Sequence, residues 1–214
     1  MNAEQVKRVL DALEGLYPEA KAELHFTNPF ETLIATILSA QCTDRRVNQV
    51  TEPLFAQYPD AKALARLTPE ELEPLIKSCG LYHSKAKNIV AACRALVERY
   101  DGQVPADRKA LMSLPGVGQK TAGVVLLAAF GDDQIPVDTH VFRVANRIGL
   151  AHASTANQTE AQLRELLPKE RWSHAHHLII WHGRRVCHAR KPDCAHCPLA
   201  DGLCEYSKTP QTED

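Results

Sequence analysis

Lys120 and Asp138 are the two side chains whose surroundings in the sequence favour covalent chemistry. Lys120 follows the segment LPGVG, residues 114–118, which is too rich in glycine and proline for a helix or a strand and predicts a tight turn. Residues 119–130 predict a helix after that turn, so Lys120 lies in its first turn. The positive end of a helix dipole disfavours an ammonium group, and a free amine is the form that acts as a Schiff-base nucleophile.

The glycine-containing turn also predicts a site for an anion. Gly116 and Gly118 permit backbone angles and a close approach that a Cβ atom would forbid. Backbone N–H groups at the start of the following helix can bind an anion, for which a nucleic-acid phosphate is the obvious candidate. Residues 107–112 predict a short helix before the turn, with Asp107 as its N-cap. The segment 107–130 is therefore predicted to be a helix-hairpin-helix unit.

Asp138 precedes a further predicted helix. The apolar residues after it recur at helical spacing, namely Val141, Val144, Ala145 and Ile148. A carboxylate at the N-cap of such a helix is stabilised in its ionised form by the helix dipole. Asp138 is therefore predicted to act as a base or to stabilise positive charge, and capping is compatible with either role.

Four of the seven cysteines are clustered with the spacing C-x6-C-x2-C-x6-C, at Cys187, Cys194, Cys197 and Cys204. In a chain without a secretion signal, clustered cysteines more often bind metal than form disulfides. Structural zinc sites usually contain two short Cys-x2-Cys units, whereas this cluster contains one. The spacing leaves zinc and a [4Fe–4S] cluster open, because four thiolates can hold either.

The segment between Cys187 and Cys194 is a candidate phosphate-binding loop. It carries Arg190 and Lys191, and Arg184 stands just before it. A metal centre would hold both ends of this loop, so that its basic side chains could bind DNA phosphates. An ordinary solvated basic loop is the alternative.

Composition excludes a strongly basic protein. The 214 residues carry a formal net charge of −1, with a sequence pI of about 6.8. Any binding of nucleic acid must therefore depend on a local basic patch. No apolar run approaches the ~20 residues that cross a bilayer, and the N-terminal amphipathic segment has no signal-peptide core. We expect a soluble protein of the cytoplasm.

Helical periodicity runs through the sequence, and no segment has the alternation of a strand, so the predicted fold class is all-α. Capping patterns predict helix starts at Asn28 and Thr68. Ser84 is predicted to cap a long helix that ends near Tyr100. Composition gives no sign of a boundary between two domains.

The motifs LPGVGQKTA, VDTHVFR, NPFETLIATILSAQCTD and GLYHSKAKNI, with the C-terminal cysteines, resemble the helix-hairpin-helix, Gly/Pro-Asp superfamily of DNA glycosylases. Within it, the chain is similar to the endonuclease III family over nearly its whole length. The resemblance implies two helical lobes with a cleft between them, residues 22–132 forming one and residues 1–21 with 133–214 the other. It also implies a [4Fe–4S] cluster held by the four clustered cysteines. The family's last cysteine arm is usually one residue shorter, and Gly202 could absorb the extra residue.

The resemblance assigns roles to individual residues. The family's lysine at the position of Lys120 attacks the sugar C1′, and its aspartate at Asp138 assists from the opposite lip of the cleft. Gln41 and Leu81 match positions that fill the gap left by an extruded base, although Leu81 alone is equally compatible with core packing. The family also has a histidine at His140, for which a phosphate contact and a structural role both stay open.

The activity implied by the resemblance is that of a bifunctional DNA glycosylase and AP lyase of base excision repair. Such an enzyme removes oxidised or ring-saturated pyrimidines from duplex DNA and cleaves the strand 3′ to the abasic site by β-elimination. The expected partner is double-stranded DNA with damaged pyrimidines or abasic sites, bound by a monomer near a bacterial nucleoid and away from membranes.

The sequence leaves two alternative functions open. The first is the adenine-specific mismatch glycosylase of the same superfamily, which lacks a lysine at the position of Lys120 and carries an additional C-terminal domain. The second is a non-catalytic helix-hairpin-helix DNA-binding protein with a structural zinc ion.

Overall fold

The structure, a computed structural model, describes residues 1–208, and every regular element in that range is helical. The α-helices are α1 (Ala3–Leu16), α2 (Pro29–Ser39), α3 (Asp44–Gln57), α4 (Ala61–Ala65), α5 (Pro69–Ile76), α6 (Tyr82–Tyr100), α7 (Arg108–Met112), α8 (Gln119–Phe130), α9 (Thr139–Ile148), α10 (Ala156–Leu166), α11 (Trp172–Arg185) and α12 (Glu205–Lys208). Two short 3₁₀ turns occur at Lys169–Arg171 and Cys194–His196. The predicted all-α fold class is confirmed. None of the helices in the described range combines the length and apolar character needed to cross a membrane.

The chain divides into two compact units. The first is the continuous segment Ala22–Asp132, and the second combines Met1–Lys21 with the chain from Asp133 onward. Each unit encloses its own cluster of buried apolar side chains.

The core of the first unit surrounds α2. Most of this helix is buried, and Leu33, Ile34 and Leu38 are completely buried. It begins where the sequence predicts, because the Asn28 side chain accepts the backbone N–H of Glu31 at 2.9 Å. Helices α3, α6 and α8 pack against it. The core therefore fixes both the end of α2 and the start of α8, where the candidate residues of this unit lie.

The core of the second unit lies between α9 and α11, with α1 packed on α11. The four apolar residues predicted to line one face of α9 are all buried. Burying the side chains of α9 and α11 removes apolar surface from water, which stabilises the fold by about 25 cal/mol for each Å² buried. This packing holds α9 firmly, and α9 carries Asp138 at its N-terminus.

Helix α6 begins earlier than the sequence predicts, and the prediction of Ser84 as its cap is wrong. The N-cap is Leu81, whose backbone is left-handed with φ of 59°, and no side chain in the described chain caps this helix. The Lys85 N–H already donates to the Leu81 carbonyl at 3.0 Å, so Ser84 lies inside the first turn. Left-handed backbone is uncommon for a residue with a side chain, which makes Leu81 a notable position.

Candidate active site and cysteine loop

The predicted helix-hairpin-helix unit is present as α7, a turn and α8. Asp107 caps α7 as predicted, its side chain accepting the Ala110 N–H at 2.8 Å. Gly116 has φ of +77°, and a Cβ atom there would lie 2.8 Å from the Cβ of Asn88. Both the backbone angle and the lack of space require glycine at position 116, as the sequence predicts.

The backbone conformation of Gly118 and the space around it differ from the prediction. Its φ of −91° and ψ of −178° are extended values that any residue adopts, and a Cβ atom would meet nothing within 4 Å. The backbone conformation therefore does not require glycine here. Gly118 is the N-cap of α8, and no side chain of residues 1–208 caps that helix. The first N–H groups of α8 are left without a side-chain acceptor, which is the arrangement that binds an anion.

Lys120 lies in the first turn of α8, which has the predicted bounds Gln119–Phe130. Its side chain is exposed, and no carboxylate in the described part of the chain forms an ion pair with it. An exposed primary amine beside a helix N-terminus can reach an electrophilic carbon of a ligand bound there.

Asp138 caps α9 as predicted. One carboxylate oxygen, Oδ1, accepts the backbone N–H groups of His140 and Val141, each at 2.8 Å. The other oxygen, Oδ2, lies 3.4 Å from Nδ1 of His140. The side chain of Asp138 is 13% exposed and that of His140 is 32% exposed. Two backbone donors and the helix dipole favour the carboxylate form of Asp138.

Gln41 and Leu81 lie on neighbouring loops of the first unit. Both are exposed and have left-handed backbones, with φ of 53° for Gln41 and 59° for Leu81. Leu81 is 57% exposed, so the alternative in which it packs in the core is wrong. The loops touch, because a Cβ atom on Gly80 would lie 3.2 Å from the backbone oxygen of Gln41.

The four clustered cysteines line a single pocket in the second unit. Burial, and then the neighbouring thiol groups, raise the pKa of the Cys194 and Cys197 thiols. A cationic metal centre would offset the cost of deprotonating these two thiols in the pocket. Cys204 lies in the same pocket despite the longer last arm, and Gly202 turns that arm with φ of +82°.

Two arginines of α9 support this loop, although the sequence reasoning did not single them out. Arg143 donates to the carbonyl oxygens of Gly183 at 2.9 Å and of Cys187 at 3.0 Å. Arg147 donates to the His188 carbonyl at 2.6 Å, and its Nη1 lies 3.5 Å from the sulfur of Cys187. Their spacing of four residues places them on one face of the helix, which is the signal that could have identified them.

His182 contacts another of the clustered cysteines, Cys197, and its role is likewise not predicted from the sequence. Its Nε2 lies 3.5 Å from the sulfur of Cys197, and its Nδ1 lies 3.1 Å from the hydroxyl of Tyr17. Burial lowers the pKa of His182 to about 4, so the ring is neutral at neutral pH. A neutral ring that accepts the Tyr17 O–H at Nδ1 presents an N–H to the sulfur, and partners of this kind orient metal ligands.

The candidate phosphate-binding loop exposes Arg190 and Lys191. Lys191 has a left-handed backbone with φ of 49°. Arg184 is only partly exposed, and the neighbouring Arg185 stacks on Trp181 with its guanidinium carbon 3.7 Å from the ring centroid. Arg190 and Lys191 are therefore the better placed of the basic residues to meet a phosphate.

Comparison with known proteins gives consistent matches. The family model described as "HhH-GPD superfamily base excision DNA repair protein" matches residues 34–169, and the "Iron-sulfur binding domain of endonuclease III" matches residues 187–204. Endonuclease III of Rickettsia conorii is 48% identical over 206 residues, covering 96% of this chain and 98% of the relative. Endonuclease III of Escherichia coli K12 is 46% identical over 208 residues, covering 97% and 98%. A solved structure of a trapped endonuclease III–DNA covalent intermediate, an estranged-adenine complex, has a TM-score of 0.93 at 46% identity and covers 97% of this chain and 98% of that one.

Proposed function

The chain belongs to the HhH-GPD superfamily of base excision DNA repair proteins, within its endonuclease III family, and on that basis we propose that its DNA glycosylase and AP lyase activities pass through a Schiff base on Lys120. The observation that carries this proposal is the exposed amine of Lys120 in the first turn of α8, a helix whose N-terminus no side chain of residues 1–208 caps. A relative that is 46% identical has been trapped as a covalent intermediate with DNA. The relative's covalent chemistry requires a nucleophile, and Lys120 has the position and exposure for that role.

The proposed reaction begins with a nucleotide turned out of the duplex. The free amine of Lys120 attacks C1′, the bond from C1′ to the base breaks, and the base leaves with the bonding electrons and takes up a proton. Opening of the sugar ring gives an iminium ion between the lysine nitrogen and C1′. The iminium acidifies the C2′ proton, whose removal expels the 3′ phosphate and cleaves the strand by β-elimination.

Asp138 is proposed to assist the first half of this reaction. Its carboxylate stabilises positive charge that develops on the sugar, or accepts a proton from the attacking amine. Its two backbone hydrogen bonds fix the direction of the carboxylate before substrate binds. The reaction requires that Lys120 and Asp138 reach the same deoxyribose.

The chain carries a [4Fe–4S] cluster, so the alternative of a structural zinc ion is wrong. We propose Cys187, Cys194, Cys197 and Cys204 as its ligands, since these four residues line one pocket. When bound, the cluster fixes both ends of the basic loop, and the loop's Arg190 and Lys191 bind phosphates.

DNA is the partner, and the lesion it must contain is a proposal. By analogy with the family, we propose oxidised or ring-saturated pyrimidines in duplex DNA, together with abasic sites. Gln41 and Leu81 fill the gap left by the extruded nucleotide, which offsets part of the few kcal/mol that unstacking costs. Gly116, Gly118 and the first turn of α8 bind a backbone phosphate beside it, and His140 lines the reacting side. We further propose that the protein works as a monomer at the bacterial nucleoid, in the cytoplasm.

Borohydride trapping on duplexes with single defined lesions tests the proposed function. We expect a covalent protein–DNA adduct on oxidised-pyrimidine and abasic duplexes, and none on undamaged DNA, because borohydride links protein to DNA only where it reduces an iminium ion between them. An adenine–guanine mismatch serves as the comparison substrate for the adenine-specific alternative. Adenine removal without an adduct would support that alternative, and the absence of any adduct on every lesion would contradict the proposal.

Salt dependence tests the role of the basic loop. Replacing Lys191 with asparagine removes the charge while suiting the left-handed backbone, since asparagine adopts positive φ readily. If Lys191 neutralises one phosphate, the slope of log K against log salt should become shallower by about 0.9. Fluorescence anisotropy between low and moderate salt measures that slope, with Lys7→Gln on α1 as the charge-matched control. Lesion preference should not change, and an unchanged slope would remove Lys191 from the binding surface.

A further inference from the structure

Lys85 is a buried lysine that the proposed reaction does not use. Only 4% of the residue is exposed, and its Nζ donates to the backbone oxygen of Leu38 at 2.8 Å. Leu38 is the penultimate residue of α2, where the carbonyl groups lack partners within the helix. A positive charge near a helix C-terminus is favoured by the helix dipole. The amine thus caps the end of α2 from the first turn of α6.

The buried amine carries an energetic cost. Burial lowers its pKa, and the nearby thiols of Cys79 and Cys42 partly oppose that change. These two thiols are the titratable groups that act on the amine. An apolar side chain of similar volume at a buried charged site is often neutral or stabilising. A role in stability alone therefore does not account for a lysine at this position.

The hydrogen bond from Lys85 joins two helices, α2 and α6, that each adjoin a loop carrying one of the gap-filling residues. Gln41 lies three positions after the acceptor Leu38, and Leu81 is the N-cap of the helix that carries the donor. Both residues have left-handed backbones, a conformation that a residue with a side chain keeps when the surrounding structure holds it there. The loops also touch directly, with Gly80 close to the Gln41 carbonyl. A single buried contact thus links the end of the helix before Gln41 to the start of the helix after Leu81.

We infer, on the basis of the proposed function, that Lys85 is a positioning residue whose hydrogen bond to the end of α2 sets the spacing of Gln41 and Leu81 for filling the gap left by an extruded nucleotide. Lys85 does not touch the reacting atoms in this role. It acts through the two loops, and loss of the contact lowers the population of the extruded state and not the rate of chemistry.

The principal test replaces Lys85 with methionine, which keeps the length and volume and removes the donor. Lys87→Met is the matched control, because Lys87 is exposed on the same helix. At saturating enzyme, we expect Lys85→Met to remove a damaged base from duplex DNA about tenfold or more slowly, since extrusion costs a few kcal/mol. Cleavage at an abasic site in single-stranded DNA should stay within about twofold of the unmodified protein, because no stacked gap must be filled there. Equal slowing on both substrates, or none on the duplex, would overturn the inference.

A binding experiment separates this inference from the proposed chemistry. With 2-aminopurine opposite an abasic analogue, insertion of side chains into the gap unstacks the probe and raises its fluorescence. Measured in the Lys120→Gln background, this signal needs no reaction, so it remains informative even if Lys120 is not the nucleophile. We expect Lys85→Met to lose most of the increase while affinity for undamaged duplex is unchanged. A full increase would contradict the inference.

A double-mutant cycle and a second variant complete the test. If Lys85 acts through Leu81, the effects of Lys85→Met and Leu81→Ala should not add, whereas additive effects would indicate separate roles. Gly80→Ala places a Cβ atom 3.2 Å from the Gln41 oxygen and disturbs the loop contact without touching the core. If Lys85→Met fails to fold, Gly80→Ala still tests the inference, because it should lose most of the increase in 2-aminopurine fluorescence. A normal signal from Gly80→Ala would count against the inference.

Discussion

Lys120→Gln is expected to abolish the borohydride-trapped adduct and to slow strand cleavage at a damaged pyrimidine by about a thousandfold or more, which corresponds to about 4 kcal/mol of barrier. An amide nitrogen cannot form the iminium ion, so both base displacement by the amine and β-elimination are lost. Lys120 is exposed in the first turn of α8, where glutamine and lysine have similar helix propensities. The variant should therefore keep the melting temperature and the DNA affinity of the unmodified protein.

Lys109→Gln provides the control for this substitution, since Lys109 is an exposed lysine of α7 before the hairpin. This variant should still form the adduct. Gel analysis of trapped complexes and single-turnover cleavage measure the two expectations. An adduct that survives Lys120→Gln would show that another amine is the nucleophile.

Asp138→Asn is expected to slow base removal by about 10²- to 10⁴-fold, the range that a positioned acid or base contributes. The asparagine oxygen can still accept the N–H groups of His140 and Val141, so the cap of α9 is retained while the negative charge is lost. Affinity for damaged duplex should change little, because Asp138 is proposed to act on the charge that develops during the reaction.

Asp138→Ala distinguishes the helix-capping role of Asp138 from the role of its negative charge. It should lose activity to the same extent and, in addition, destabilise the fold by about 1 kcal/mol, because the two N–H groups lose their acceptor. Chemical denaturation and single-turnover kinetics on the same preparations measure both effects. If the asparagine variant loses as much stability as the alanine variant, or keeps full activity, capping alone accounts for Asp138.

Local structure around the candidate residues could be predicted from the sequence. Asp107 and Asp138 cap their helices as expected, and the helix carrying Lys120 has its predicted bounds of residues 119–130. These features depend on hydrogen bonds between residues two to four positions apart, which residue type and spacing largely determine. The cysteine spacing similarly indicated a four-thiolate site, although spacing alone left the metal open. The start of α6 was mispredicted because Leu81 enters the helix through a left-handed backbone, without a capping side chain.

Contacts between residues far apart in the chain were decided by the tertiary structure alone. Tyr17 and His182 meet although 165 positions separate them, and Lys85 reaches Leu38 across 47 positions. Neither pair has a periodicity or a spacing that predicts it, because packing of separate helices brings the partners together. Burial is decided in the same way, since Lys85 is enclosed while Lys87, two residues further along the same helix, is exposed. The sequence alone thus determined the helices, their caps and the residue types available for chemistry. Only the packed structure decided which of those residues are buried, and burial gives a charged group such as Lys85 its energetic cost and its fixed position.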